Sequence, residues 1–189
     1  MGSLASSVKA EYIGKYGKAK YQEHTKAIDS MWQGIKGKLA KLKLDYAKAR
    51  IYQDGLPVCG KEKEIVTSVA SSGSQNHKIV LDLMKQGAKL EGTEDKELLL
   101  KEYTTIKNIL QIKDKAEKER MLKEYSKDKK ELLAGRDRFI AERINQTLKE
   151  GEIGILFIGL LHKIDKYLAK DIKIEYLIYR LPFKAGSGY

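Results

Sequence analysis

Two residues have types and positions that suit site chemistry, a histidine and an aspartate that each follow a strand-like stretch. His162 closes the stretch GEIGILFIGLLH (Gly151–His162) and is one of only three histidines in the chain. Its apolar run from Ile153 to Ile158 is bounded by glycine and reads as a strand buried on both faces, with Gly159 permitting a tight exit. That delivers His162 to the C-terminal edge of the strand, where open α/β sheets keep their ligands. Asp54 holds the same kind of position. Tyr46–Gln53 alternates Ala47, Ala49 and Ile51 with Lys48, Arg50 and Tyr52, as a strand does, and ends in Asp54-Gly55-Leu56-Pro57, a turn that Pro57 keeps from extending the ladder. If the two strands are parallel neighbours, the imidazole and the carboxylate reach one crevice. Each residue also has an ordinary structural use: a hydrogen-bonded core histidine and a turn-forming aspartate.

The elements that must position them follow from periodicity. Ile28, Met31, Trp32, Ile35, Leu39 and Leu42 predict an amphipathic helix over about Tyr21–Leu42, while Gly14 and Gly17 make Lys9–Lys20 a poorer helix or a mobile arm. Lys61–Ser72 and Gln75–Gln86 read as two helices, the second capped by Ser74 and stopped by Gly87; His77 falls in its first turn, in a surface or capping role. Ala88–Leu90 is a brief strand, after which Thr93 is expected to cap a new helix, with Glu94, Asp95 and Glu97 explained by its positive end. From Glu97 to Lys149 the composition is helical. Lys113–Glu131 mixes eight basic with six acidic residues, the pattern of an exposed helical hairpin projecting over 111–133. Gly135 is expected to interrupt the helix, placing Arg136 and Asp137 near the start of the last one. Asp171–Tyr179 alternates as a further strand, and a tail from Pro182 looks disordered. Strands alternating with helices predict an α/β fold: a small, mostly parallel sheet flanked by helices, in a single domain over 1–181.

Composition bounds the function. The chain has 189 residues, 42% of them apolar, only two prolines and a net charge of +11, which fits a folded, helix-rich domain. No apolar run approaches the ~20 residues of a bilayer helix, and Met1–Ala10 lacks the apolar block of a signal peptide. Cys59 is the only cysteine, which excludes an internal disulfide, and the absence of a secretion signal points to the cytoplasm. Its thiol has no local base and reads as an inert one. The first 50 residues carry ten lysines and Arg50 against four acids, together with Tyr12, Tyr16, Tyr21, Trp32 and Tyr46. This is either a lysine-rich solvated face or a surface that tracks phosphates and stacks bases of a nucleic acid. There is no Gly-rich phosphate loop, no paired CxxC, no HExxH and no GxSxG.

The blocks YQDGLPVCG (Tyr52–Gly60), GSQNH (Gly73–His77), GAKLEGTED (Gly87–Asp95) and RDRFIAERINQTL followed by GILFIGLLH (Arg136–His162) resemble an uncharacterised bacterial and archaeal protein family. Relative to that family the chain lacks a first apolar strand, which suggests a truncated start. More distantly, the C-terminal third resembles the TraB, Tiki and erythromycin-esterase group of α/β proteins, through Arg136-Asp137 opening a helix and Gly159-Leu160-Leu161-His162 closing a strand. Asp54 stands where that group has a glutamate. The resemblance implies a hydrolase-like crevice acting on a small molecule or peptide, with catalytic residues Arg136, His162 and Asp54. It also implies a divalent metal held by His162 and Asp54, acidifying a bound water while Arg136 steadies an oxyanion. The competing expectations are a non-enzymatic polyanion-binding protein using the basic N-terminal third, and an assembly subunit forming homo-oligomers.

Overall fold

A computed structural model describes residues 2–177, without the side chains of residues 2–5. The chain divides into two units, one built from residues up to Leu44 together with the segment from Glu175, the other from Asp45–Ile174.

The first unit is a pair of helices. α1 (Gly2–Tyr16) is helical where a poor helix or an arm was expected, and α2 (Lys18–Lys41) covers the expected amphipathic stretch. Gly17 separates them with φ 85, a left-handed conformation that suits glycine, and the chain turns there. The turn brings the Tyr12 ring within 5.9 Å of Tyr21 and stacks it 5.5 Å from His24, contacts a straight helix would forbid.

The second unit is α/β, as its alternation of strands and helices predicts. β1 (Ala49–Gln53) is buried along its whole length and is the central strand. It starts later than expected because Asp45 accepts from the Ala47 amide and closes a 3-10 turn over Tyr46–Lys48. α3 (Glu62–Ser71) and α4 (Gln75–Lys85) form a hairpin that buries Val66, Ala70, Ile79, Val80 and Leu83, with Ser74 capping α4 as expected. β2 (Lys89–Glu91) then pairs parallel to β1, Ile51 opposite Leu90. Just beyond it, a Cβ on Gly92 would lie 2.8 Å from the Val58 Cα, so only glycine lets the loop after β1 pack there.

α5 (Lys96–Gln111) is capped by Asp95, which accepts from the Leu98 amide. Thr93, expected to be the cap, instead is buried and accepts from the Gln53 amide, tying the loop after β2 to β1. α6 (Lys115–Thr147) runs unbroken through Gly135, contrary to expectation. A glycine inside a helix costs only about 1 kcal/mol, and packing on both sides outweighs it: a Cβ on Gly135 would sit 3.8 Å from Leu98 of α5, and Ile140 and Ile144 of α6 are buried against Tyr52. Arg136 and Asp137 therefore lie deep in a 33-residue helix rather than at its start. The charged first half of α6 is largely exposed, with Arg120–Glu124 one of its i,i+4 pairs.

β3 (Ile153–Phe157) pairs parallel to the other side of β1, Ile51 opposite Ile155, giving the order β2-β1-β3. After a 3-10 turn at Ile164–Lys166 the chain returns along α6, where Asn145 binds the Tyr167 carbonyl and the Ala169 amide. The strand expected at Asp171–Tyr179 is not formed over residues 171–177; Ile174 and Tyr176 are exposed, with no sheet neighbour to bury their alternating face. Its last two residues and the tail from Pro182 lie outside the described residues.

The three strands are fastened at their lower end by one cation. Arg50, buried on β1, binds Glu91 of β2 and Glu152 just before β3. Its hydrogen bonds, with one from the Lys149 amide, hold the Glu152 carboxyl down to about 2, from an ordinary value of 4.5. A depressed carboxyl contributes stability above its unfolded pKa and loses it as pH falls through the folded one. Glu152→Gln should therefore be less stable than wild type at neutral pH. In urea titrations that difference should shrink as pH is lowered from about 4.5 toward about 2; a pH-independent difference would refute the assignment.

Candidate functional site

The C-terminal edge of the sheet gathers six ionisable side chains from five segments of the second unit. Asp54 leaves the end of β1, its amide extending the ladder to the Phe157 carbonyl at 2.9 Å. His162 leaves the turn after β3, which the His162 amide closes onto the Gly159 carbonyl at 3.2 Å. Because β1 and β3 are parallel neighbours, the two side chains meet: His162 Nε2 lies 3.6 Å from Asp54 Oδ2. Gly159 donates its amide to that same oxygen at 3.2 Å.

The other ring nitrogen of His162 is fixed from α6. Nδ1 lies 2.5 Å from Asp137 Oδ1, while Asp137 Oδ2 accepts from the Lys163 amide at 2.8 Å. Both side chains are buried. A carboxylate beside Nδ1 accepts a hydrogen bond from it, which keeps the ring proton on Nδ1 and leaves Nε2, on the Asp54 side, as the nitrogen open to a proton or a metal.

Arg136, next to Asp137 on α6, collects the remaining acids. Its Nη2 donates to Asp54 Oδ1 at 2.7 Å and to Glu94 Oε1 at 2.5 Å, Nε donates to Glu94 Oε2 at 2.9 Å, and Nη1 to Glu102 Oε2 at 2.7 Å. Glu94 is wholly buried and also accepts from the Gly55 amide at 3.1 Å. Glu102 Oε1 accepts from the Tyr125 hydroxyl at 2.9 Å; burial and that hydrogen bond push the Tyr125 hydroxyl up to about 12. Burial works against the guanidinium's charge, but hydrogen bonding to Glu94 and the charges of Glu94, Asp54 and Glu102 outweigh it and raise its pKa.

The three residues singled out in the sequence, Asp54, Arg136 and His162, thus converge. The guanidinium expected to face an oxyanion gives four of its five N–H groups to carboxylates of the protein. Three partners were missed as site residues. Glu94 follows β2 as Asp54 follows β1, a signal of strand-end position that helix electrostatics masked. Asp137 was legible only as the neighbour of Arg136, and Glu102 on α5 carries no local signal at all. His77 plays the capping part expected of it, its Nδ1 2.9 Å from the Ser74 hydroxyl, and burial lowers its pKa. Cys59 is exposed.

As metal donors, His162 Nε2 and Asp54 Oδ2 are spaced to share one ion, and the Asp137–His162 contact is the carboxylate–histidine arrangement that orients such a ligand. Among the described residues no three His, Cys, Asp or Glu side chains form a ligand set. The described side chains therefore offer two donors where tight catalytic sites use three. Searches against protein families, characterised proteins and solved structures find no match to this chain.

The pairing of Arg136 makes a stability prediction. Arg136→Met leaves buried Glu94 and its neighbours without their cation, and should destabilise the protein by about 3–5 kcal/mol. Tyr125→Phe, which removes one neutral donor at the periphery, should cost only about 1 kcal/mol. Urea denaturation ranks the two; equal effects would contradict the network.

Proposed function

We propose that this edge is a hydrolytic site in which His162 is the general base, the reading also implied by the likeness to the TraB, Tiki and erythromycin-esterase group. The observation that carries it is the line Asp137–His162–Asp54, with Nδ1 tied to a buried carboxylate and Nε2 turned to the more accessible Asp54.

In this reading a water held between His162 Nε2 and Asp54 Oδ2 gives a proton to Nε2 as its oxygen attacks an acyl carbon. Asp137 stabilises the imidazolium that forms, and Nε2 then returns the proton to the departing group. Gly159 N–H and Arg136 fix the two oxygens of Asp54, so the carboxylate faces the imidazole in one orientation. Arg136 is here a positioning residue. A divalent metal, where bound, would be held by His162 and Asp54 and would lower the pKa of its water.

A second reading rests on the first unit, where residues 1–44 hold nine lysines against three acids and Lys9 and Lys15 lie over the rings of Tyr21 and Tyr16. There the protein binds a nucleic acid or another polyanion without catalysis.

One set of measurements separates the two. Chromogenic ester and amide substrates are assayed with and without added Zn²⁺ or Mn²⁺. Hydrolysis should fall by at least roughly 100-fold in His162→Ala and by about 10–100-fold in Asp137→Asn. No turnover by wild type, together with no calorimetric heat of metal binding, refutes the hydrolytic reading. Oligonucleotide binding whose affinity falls steeply with salt would favour the second.

A further inference from the structure

The elbow at Gly17 gathers aromatic rings among lysines and lies wholly within the first unit. Tyr12 is its hub. The Tyr12 ring centre is 4.8 Å from that of Tyr16 on the same helix, and across the elbow 5.9 Å from Tyr21 and 5.5 Å from His24, on which it stacks with the planes 22° apart. Tyr12 and Tyr21 are half-buried, whereas Tyr16 is 46% exposed and His24 is exposed as well. The Lys9 ammonium sits 5.3 Å from the centre of the Tyr21 ring, and that of Lys15 5.1 Å from Tyr16.

The charge around these rings is not cancelled by acids. All nine lysines of residues 1–44 are exposed. Against them stand Glu11, Glu23 and Asp29, with Glu175 the one acid among residues 175–177 that belong to the same unit. Near the elbow itself Lys9, Lys15, Lys18, Lys20 and Lys26 outnumber Glu11 and Glu23. A cationic surface alone takes any polyanion, and its affinity falls with salt. Exposed rings add a preference, because the bases of a single strand have free faces to stack on them while those of a duplex are stacked on each other. A lipid surface fits less well: the apolar stripe of α2, Ile28, Met31, Trp32, Ile35 and Leu39, is half-buried or buried rather than presented.

We infer that the Gly17 elbow is a site for single-stranded nucleic acid, in which bases stack on Tyr16 and His24 and the surrounding lysines track the phosphates. The inference rests on the polyanion reading of the first unit and narrows it to one class of partner; it is independent of the hydrolytic reading.

The test is fluorescence anisotropy of the full chain with labelled oligodeoxythymidine and oligouridine, a duplex of the same length, heparin, and phosphatidylserine vesicles. The single strands should bind about tenfold or more tighter than the duplex, with a salt slope of about 0.7 per phosphate contacted. Tyr16→Ala and His24→Ala should each weaken single-strand binding by about fivefold or more and leave heparin binding and helical circular dichroism unchanged, while Tyr16→Phe keeps wild-type affinity. Lys18→Gln with Lys20→Gln should weaken oligonucleotide and heparin alike. Duplex or heparin bound as tightly as the single strands, or single-strand binding indifferent to both alanine variants, overturns the inference and leaves the broader polyanion reading standing. Binding to none of the polyanions overturns both, and binding to the vesicles alone replaces them with a lipid surface.

Discussion

A buried guanidinium must be neutralised where it stands, and in this protein that requirement assembles the candidate site. Arg136 cannot be hydrated in the middle of α6, so Asp54 from β1, Glu94 from the loop after β2 and Glu102 from α5 are drawn to it. Asp137, one residue on, does the same for the loop after β3 by binding His162 and the Lys163 amide. Two adjacent residues of one helix thereby fix the C-terminal ends of all three strands. Burial of Ile140, Ile144 and Tyr52 holds the helix on the sheet, and the charged pair sets its position along it.

The opposite end of the sheet uses the same device with the signs of the elements exchanged. There the cation, Arg50, lies on the central strand and the acids come from its two neighbours. A three-stranded parallel sheet is short of strand-to-strand bonds, and its register is pinned by ion pairs at both ends. The lower pair is structural. The upper cluster differs in holding a histidine: Arg136 binds Asp54, Glu94 and Glu102, and His162 stands between Asp54 and Asp137. That histidine, set between two carboxylates, is what the hydrolytic proposal rests on.

Much of this was legible in the chain, and the failures have physical causes. Strand periodicity and glycine punctuation identify β1 and β3, and their parallel pairing is enough to bring Asp54 to His162. Local signals misjudge Gly135, because a helix interior tolerates one glycine when α5 packs against it. They misjudge Thr93, because a threonine before a helix can bind the neighbouring strand instead of the helix. Asp171–Tyr179 has the alternation of a strand, yet residues 171–177 form none; alternation declares that a face can be buried, and does not supply the neighbour that buries it. Glu102 could not be found locally, since its partner Arg136 is 34 residues away and only the α5–α6 packing joins them.

The account turns on which nitrogen of His162 is left free. Long-range ¹H–¹⁵N NMR of protein labelled at its three histidines observes this directly, with the His162 resonances assigned through His162→Gln. The geometry predicts that Nδ1 carries the proton bonded to Asp137, that Nε2 is the nitrogen that responds to added acid or metal, and that Asp137→Asn disturbs the Nδ1 signal first. A His162 protonated on Nε2 alone, indifferent to Asp137, would contradict it.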